Sequence, residues 1–162
     1  MARVLIVAGG CRGRALGGEL VGRGHAVRIT TRTEAGRAGI EAAGGECWIG
    51  TPDRIGSLRY ALENVTVLCW LLGTASGARE AVGELHGRRL EFMLSQTIDT
   101  TVRGVVYEAA GTIDPVVLAG GSDVVARWAA FNRVPHRTVE RDPADRAWWL
   151  AEAVGAVEAL VS

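Results

Sequence analysis

The stretch "VLIVAGGCRGRALGGEL", Val4 to Leu20, runs from an apolar segment into two glycines, meets arginine twice in the next four residues, and resumes at once as a helix-like pattern. Strand, glycine turn and helix in that order are what a phosphate cradle requires. Glycine admits unusual turn dihedrals and lets backbone N–H groups approach a pyrophosphate, whose charge then lies at the positive end of the helix. Gly9, Gly10, Gly13 and Gly17 supply the glycines. Gly13 and Gly17 lie one helical turn apart, so they also let the helix sit close on a sheet, with Leu16 and Leu20 packing beside them. The competing reading is a tight turn in a similar sheet that has lost its ligand.

Working outward, apolar β-branched runs alternate with longer helical patterns at a spacing of about 25 residues, the signature of a doubly wound parallel sheet. Strands are predicted at "RVLIVA" from Arg3, "AVRITT" from Ala26, "ECWIG" from Glu46, "VTVLCWLL" from Val65, "VRGVVYEA" from Val102 and "VPHRTVE" from Val134. Helices are predicted over Arg14–Arg23, Glu34–Ala43, Asp53–Glu63, Arg79–Ile98 with a break near Gly83–Gly87, Val116–Asn132, and Pro143–Val161 behind an Asp142 cap. The expected fold is a three-layer, Rossmann-like α/β domain of about six strands in the order 3-2-1-4-5-6. At 162 residues the chain suits one such domain, residues 1–162.

A formal net charge of zero argues against a nucleic-acid surface or an anionic membrane as partner. No apolar run is long enough for a membrane span and no signal-peptide pattern opens the chain, so the default location is cytoplasmic. The three cysteines have no metal-ligand spacing, which leaves neither a disulfide framework nor a zinc site. Every basic residue is arginine apart from three histidines, and the absence of lysine removes Schiff-base chemistry and a Walker-type phosphate lysine.

The run "VLIVAGGCRGRALGGELVGRGHAVRITTR" resembles the opening of an atypical, epimerase-like or reductase-like member of the short-chain dehydrogenase/reductase superfamily. The resemblance covers the first half of the chain and implies a nicotinamide dinucleotide on Gly9, Gly10, Cys11, Arg12 and Gly13. Where an NAD-binding protein places an acid at the end of the second strand, this chain reads Thr30, Thr31 and Arg32. With Arg12 approaching from the glycine loop, a 2'-phosphate would meet guanidiniums in place of a carboxylate, which favours NADP(H) over NAD(H). Arg37 is a weaker third candidate, Glu34 is an acid that could still serve a ribose, and a solvated surface is the bland account of the arginines. The resemblance also implies an acid near the adenine after the third strand. Thr51 stands there, with Asp53 two later as its substitute or as a helix cap. Leu72 and Gly73 would pass along the nicotinamide side.

Classical members of that superfamily use a tyrosine with a lysine four residues on, and this chain has Gly111 four after Tyr107. The candidates for acid–base work are therefore Tyr107, Glu108 and His86, placed past the ends of strands four and five. Each has a plainer reading: His86 as a helix-end residue, Glu108 as half of an ion pair. Cys11 is either a thiol activated by the helix end or a small side chain facing the cofactor. Two functions stay open, a small NADP-dependent oxidoreductase on a carbonyl or sugar-like substrate, and a non-catalytic NADP(H)-binding module for redox sensing or regulation. The resemblance also implies a homodimer.

Overall fold

Six parallel strands pair in the order β3-β2-β1-β4-β5-β6 in the computed structural model, which describes residues 1–8 and 10–162. They are β1 (Arg3–Ala8), β2 (Ala26–Thr31), β3 (Glu46–Ile49), β4 (Val67–Leu71), β5 (Gly104–Glu108) and β6 (His136–Val139). All five pairings are parallel, so every connection is a crossover and both faces of the sheet must be covered. This is the Rossmann-like arrangement read from the sequence. The order reverses between β1 and β4, and the crevice at that switch point is where ligands of such sheets bind.

The helices are α1 (Gly10–Gly22), α2 (Arg37–Ala42), α3 (Arg79–Leu85), α4 (Arg88–Gln96), α5 (Pro115–Asn132) and α6 (Arg146–Val161). Strand alternation divides the core in two. Val4, Ile6, Cys69 and Val106 face Leu16 and Leu20 of α1, Ile40 of α2 and Trp149 and Ala153 of α6. Leu5, Val7, Trp70 and Tyr107 face Leu90 and Met93 of α4, Val125 of α5 and a 3-10 segment over Ile55–Leu62. Burial of large side chains such as Trp70, Trp149 and Leu16, each worth about 1.5–3 kcal/mol, holds the three layers together.

Beyond shifts of one or two residues at element ends, four helical segments differ from the sequence reading. α1 begins at Gly10, a full turn before Arg14. The segment expected as a helix from Asp53 winds as a 3-10 helix from Ile55, because Thr51, Asp53 and Ser57 spend their polar groups on a turn: Thr51 N–H donates to Ser57 Oγ (2.8 Å) and Asp53 N–H to Thr51 Oγ1 (3.2 Å). The pattern from Glu34 splits into a 3-10 turn over Glu34–Gly36 and then α2. Pro143 is not in the first turn of the last helix: Asp142 accepts the Ala144 N–H at 2.9 Å in a preceding turn, and α6 starts at Arg146. The break between α3 and α4 falls at His86–Gly87, inside the expected region. Of the adjacent tryptophans, Trp149 is 1% exposed and Trp148 60%, the split that adjacent helical positions impose.

Candidate functional site

β1 ends at Ala8 with φ 66°, and Gly10 follows with φ 53°. Gly9, between them, lies outside the described residues. An alanine held in the left-handed region costs about 1–2 kcal/mol. The Ala8 N–H donates to Thr30 Oγ1 at 2.9 Å, which ties this bend to β2. A Cβ on Gly10 would meet nothing within 4 Å, so the loop presents bare backbone to open space there. A Cβ on Gly13 would lie 2.6 Å from the Ala8 carbonyl oxygen, so α1 approaches the sheet as only glycine permits. Tight turn, open approach and close helix packing are the roles of the first, second and third glycines in G-x-G-x-x-G. Here the frame is Ala8-x-Gly10-x-x-Gly13. Counting from Gly9 or Gly10 misses it because an alanine stands first; the spacing from Ala8 is the signal that would have found it.

A cleft of about 180 Å³ opens beside this loop at the ends of β1 and β2, lined among others by Ala8, Gly10, Arg14, Thr30, Thr31 and Ile40. Arg14, not weighed from the sequence, is thus the arginine of the glycine loop that borders the β2 end. One of its nitrogens, Nη2, stands 3.2 Å from Sγ of the exposed Cys11. Arg32, at the same end, pairs with Asp53 at 2.8 Å, with 59% and 37% of the two side chains exposed. Two residues expected as separate ligands therefore share one surface ion pair, worth about 0–1 kcal/mol and open to competition from a phosphate. Thr51 Oγ1 lies 3.2 Å from the same Asp53 carboxylate. Arg37 is held by Glu34 (2.7 Å) and, more loosely, by Glu41 (3.6 Å) on α2, and this pairing keeps the Glu34 carboxyl below the usual carboxylate range.

Arg12 points the other way. Its Nε and Nη2 donate to Glu108 at 2.8 and 2.5 Å, and Nη2 also reaches the Leu71 carbonyl at 3.3 Å. Glu108, 0% exposed, further accepts from the Gly73 N–H (2.7 Å) and from Trp149 Nε1 (2.9 Å). Four donors therefore satisfy one buried carboxylate and fasten the first turn of α1 to β4, β5 and α6. Gly73 sits so close to the loop after β5 that its carbonyl accepts from Thr112 N–H (3.0 Å).

Tyr107 and His86 meet on the opposite face of the sheet. His86 Nδ1 is 2.6 Å from Tyr107 Oη and Nε2 is 2.9 Å from the Leu72 carbonyl. A carbonyl only accepts, so Nε2 carries the proton and Nδ1 of the neutral ring accepts a hydrogen bond from the Tyr107 hydroxyl, whose oxygen also lies 3.3 Å from the Leu118 carbonyl. Burial is the main cause that lowers the His86 pKa from 6.5, and burial likewise pushes the Tyr107 phenol up. The folded protein then resists protonating His86 while the unfolded chain binds a proton near 6.5, so stability is lost as pH falls below that value. Urea midpoints measured from about pH 7.5 to about pH 5.5 should decline in the parent and decline less in His86→Gln. Equal slopes would remove His86 from the account.

The sequence matches no protein-family model and no curated protein. The fold is similar to vestitone reductase from alfalfa, Medicago sativa (16% identity, TM-score 0.62, 85% of this chain and 56% of that one). It is similar also to the Citrobacter sp. triphenylmethane reductase complexed with NADP(H) (15%, 0.63, 85% and 49%). A third such structure is UDP-glucuronic acid 4-epimerase from Bacillus cereus in complex with NAD (12%, 0.67, 86% and 56%). The chain spans about half the length of these proteins. At such identities the likeness is one of fold.

Proposed function

We propose that the chain binds a nicotinamide dinucleotide across the carboxyl ends of its strands, with NADP(H) preferred to NAD(H), as a binding module whose buried acid–base groups do not reach a substrate. The loop geometry carries this reading: Ala8 and Gly10 in left-handed conformations and Gly13 against the strand end, opening on the β1–β2 cleft at the start of a thirteen-residue helix. Backbone N–H groups of the first turn of α1 would hold the diphosphate. Arg14 and Arg32 would meet a 2'-phosphate, while Thr30 and Thr31 would border the ribose. Cys11, exposed on the first turn, is a small side chain beside the bound phosphates. Arg12 supports the loop from behind through Glu108, and Leu72 and Gly73 would flank the nicotinamide half.

The bound group would supply a hydride at its nicotinamide ring. Against a catalytic role for this chain's own acids and bases stands their burial: His86, Tyr107 and Glu108 are 2%, 0% and 0% exposed, and each is engaged by other protein groups. The second reading, an oxidoreductase acting on a small carbonyl or sugar-like substrate, needs one of them freed. Calorimetry with NADPH and NADP, beside a search for NADPH consumption across aldehydes, ketones and quinones, separates the two. Binding without turnover is expected. For the phosphate assignment, Arg14→Ala and Arg32→Ala should each weaken 2',5'-ADP by roughly tenfold and 5'-ADP much less, since a charge-assisted hydrogen bond contributes about 1.5–3 kcal/mol. Equal losses for the two ligands would refute it.

A further inference from the structure

The carboxyl end of β4 is closed by the chain itself. The Leu71 carbonyl accepts from Arg12 Nη2 (3.3 Å), and the Leu72 carbonyl from His86 Nε2 (2.9 Å) and the Ala75 N–H (3.3 Å). Gly73 N–H donates to Glu108 (2.7 Å), and the Gly73 carbonyl accepts from the N–H groups of Thr112 (3.0 Å) and Ile113 (3.3 Å). These backbone groups, which border the nicotinamide side, are thereby engaged within the protein. A Cβ on Gly73 would strike the Ala110 carbonyl and one on Gly111, at φ 155°, the Gly73 backbone, so the loop after β5 lies on the loop after β4 as closely as glycine allows. Leu72 is 4% exposed and Gly73 is buried. Arg12 occupies the side toward β1, its guanidinium 5.7 Å from the Trp149 ring centre. The cleft at the glycine loop, by contrast, is open, and its described lining comes wholly from β1, β2, α1 and α2. At about 180 Å³ it is smaller than the roughly 300–1,000 Å³ of a site that encloses a whole drug-sized ligand, so it fits part of a dinucleotide.

We propose that the site takes adenosine 2'-phosphate 5'-diphosphate compounds as a class, gripping a dinucleotide by its adenosine half and leaving the nicotinamide ring in solvent. This rests on the reading given under Proposed function and narrows it. Seating the ring against β4 would break the bonds of Thr112 and Ile113 to the Gly73 carbonyl, on a segment whose N–H is anchored to the buried Glu108 carboxylate. A ring held outside adds nothing to affinity, so esters of the same diphosphate bind alike whatever group they carry.

NADPH and 2'-phospho-ADP-ribose carry the same charge and differ at the ring, so together they isolate its contribution. Calorimetry on the full chain is expected to give dissociation constants within about threefold of each other, with NADP+ in the same range. Saturation-transfer NMR should reach the adenine protons of NADP+ and pass over its nicotinamide protons. In 15N-labelled protein the amide signals of Gly73, Thr112 and Ile113 should hold the same positions in the complexes with NADP+ and with 2'-phospho-ADP-ribose. An advantage of about tenfold or more for NADPH, saturation of the nicotinamide protons equal to that of the adenine, or displacement of those three amides by NADP+ alone overturns the proposal and leaves the dinucleotide reading standing. If none of the three ligands binds, both fall, so the two failures are distinguishable.

Discussion

Replacing Arg12 by alanine is expected to cost about 3–5 kcal/mol of stability, because it leaves the Glu108 carboxylate fully buried without its charged partner. Gly73 N–H and Trp149 Nε1 would remain as donors, but neutral hydrogen bonds do not replace the guanidinium. Urea unfolding monitored by tryptophan fluorescence measures the loss, and Tm should fall on the order of 10 °C. Glu108→Gln alone should be milder, since the amide oxygen can still accept from Gly73 and the remaining guanidinium is 14% exposed and can be partly hydrated. The combination Arg12→Met with Glu108→Gln should recover most of the deficit, because a pair removed together leaves no uncompensated charge. Were the double variant as unstable as Arg12→Met and Glu108→Gln summed, the pair would not be the source of the effect. Turnover by the Glu108→Gln variant equal to any found in the parent would also remove Glu108 from acid–base chemistry.

The sheet was legible because its physics is written locally. Strands covered on both faces need near-continuous apolar residues, and "VLIVA" and "VLCWLL" have them; the crossover rule then leaves few orders for six parallel strands. The edges were less legible. β3 and β6 are short and only partly covered, and polar turns consume residues that the pattern assigned to helices. The candidate site divided in the same way. The glycine loop was visible, but its frame was not, since an alanine at φ 66° is held there by its surroundings and carries no composition signal.

The arginines show how a small shift of boundary changes chemistry. Residues two apart on a helix point about 200° from each other. With α1 starting at Gly10, Arg12 and Arg14 leave the first turns in nearly opposite directions, one to Glu108 on β5 and the other to the β2 end. With the helix begun at Arg14, that division could not be read. Parity along β5 was readable: Tyr107 shares a face with Val105 and Glu108 with Val106, so the two candidates for acid–base work lie on opposite sides of the sheet. Their burial depended on partners distant in sequence, His86 for one and Arg12 for the other, which no local pattern identifies.

Gly13→Ala should reverse the usual sign of a glycine-to-alanine change within a helix. In an unobstructed helix interior the substitution stabilises by about 0.5–1 kcal/mol. At residue 13 the new methyl group would stand 2.6 Å from the Ala8 carbonyl oxygen, which is backbone and cannot swing aside, so α1 must lift from β1 at a cost of about 1–3 kcal/mol. Gly22→Ala, whose Cβ meets nothing within 4 Å, is the matched control and should be neutral or slightly stabilising. Gly17→Ala falls between them, because its obstacle at 2.7 Å is Ile29 Cδ1, the movable end of a side chain. Lifting α1 also turns its N–H groups away from a diphosphate, so Gly13→Ala should weaken dinucleotide binding at least about tenfold while Gly22→Ala leaves it intact. Gly10→Ala separates the two effects. No atom obstructs its Cβ, so the fold should lose only the roughly 1–2 kcal/mol of a left-handed alanine, yet the methyl group would project into the open space before the helix and block close approach of phosphate. A Gly10→Ala protein that binds NADPH as tightly as the parent would place the ligand elsewhere and remove the loop from the proposed function.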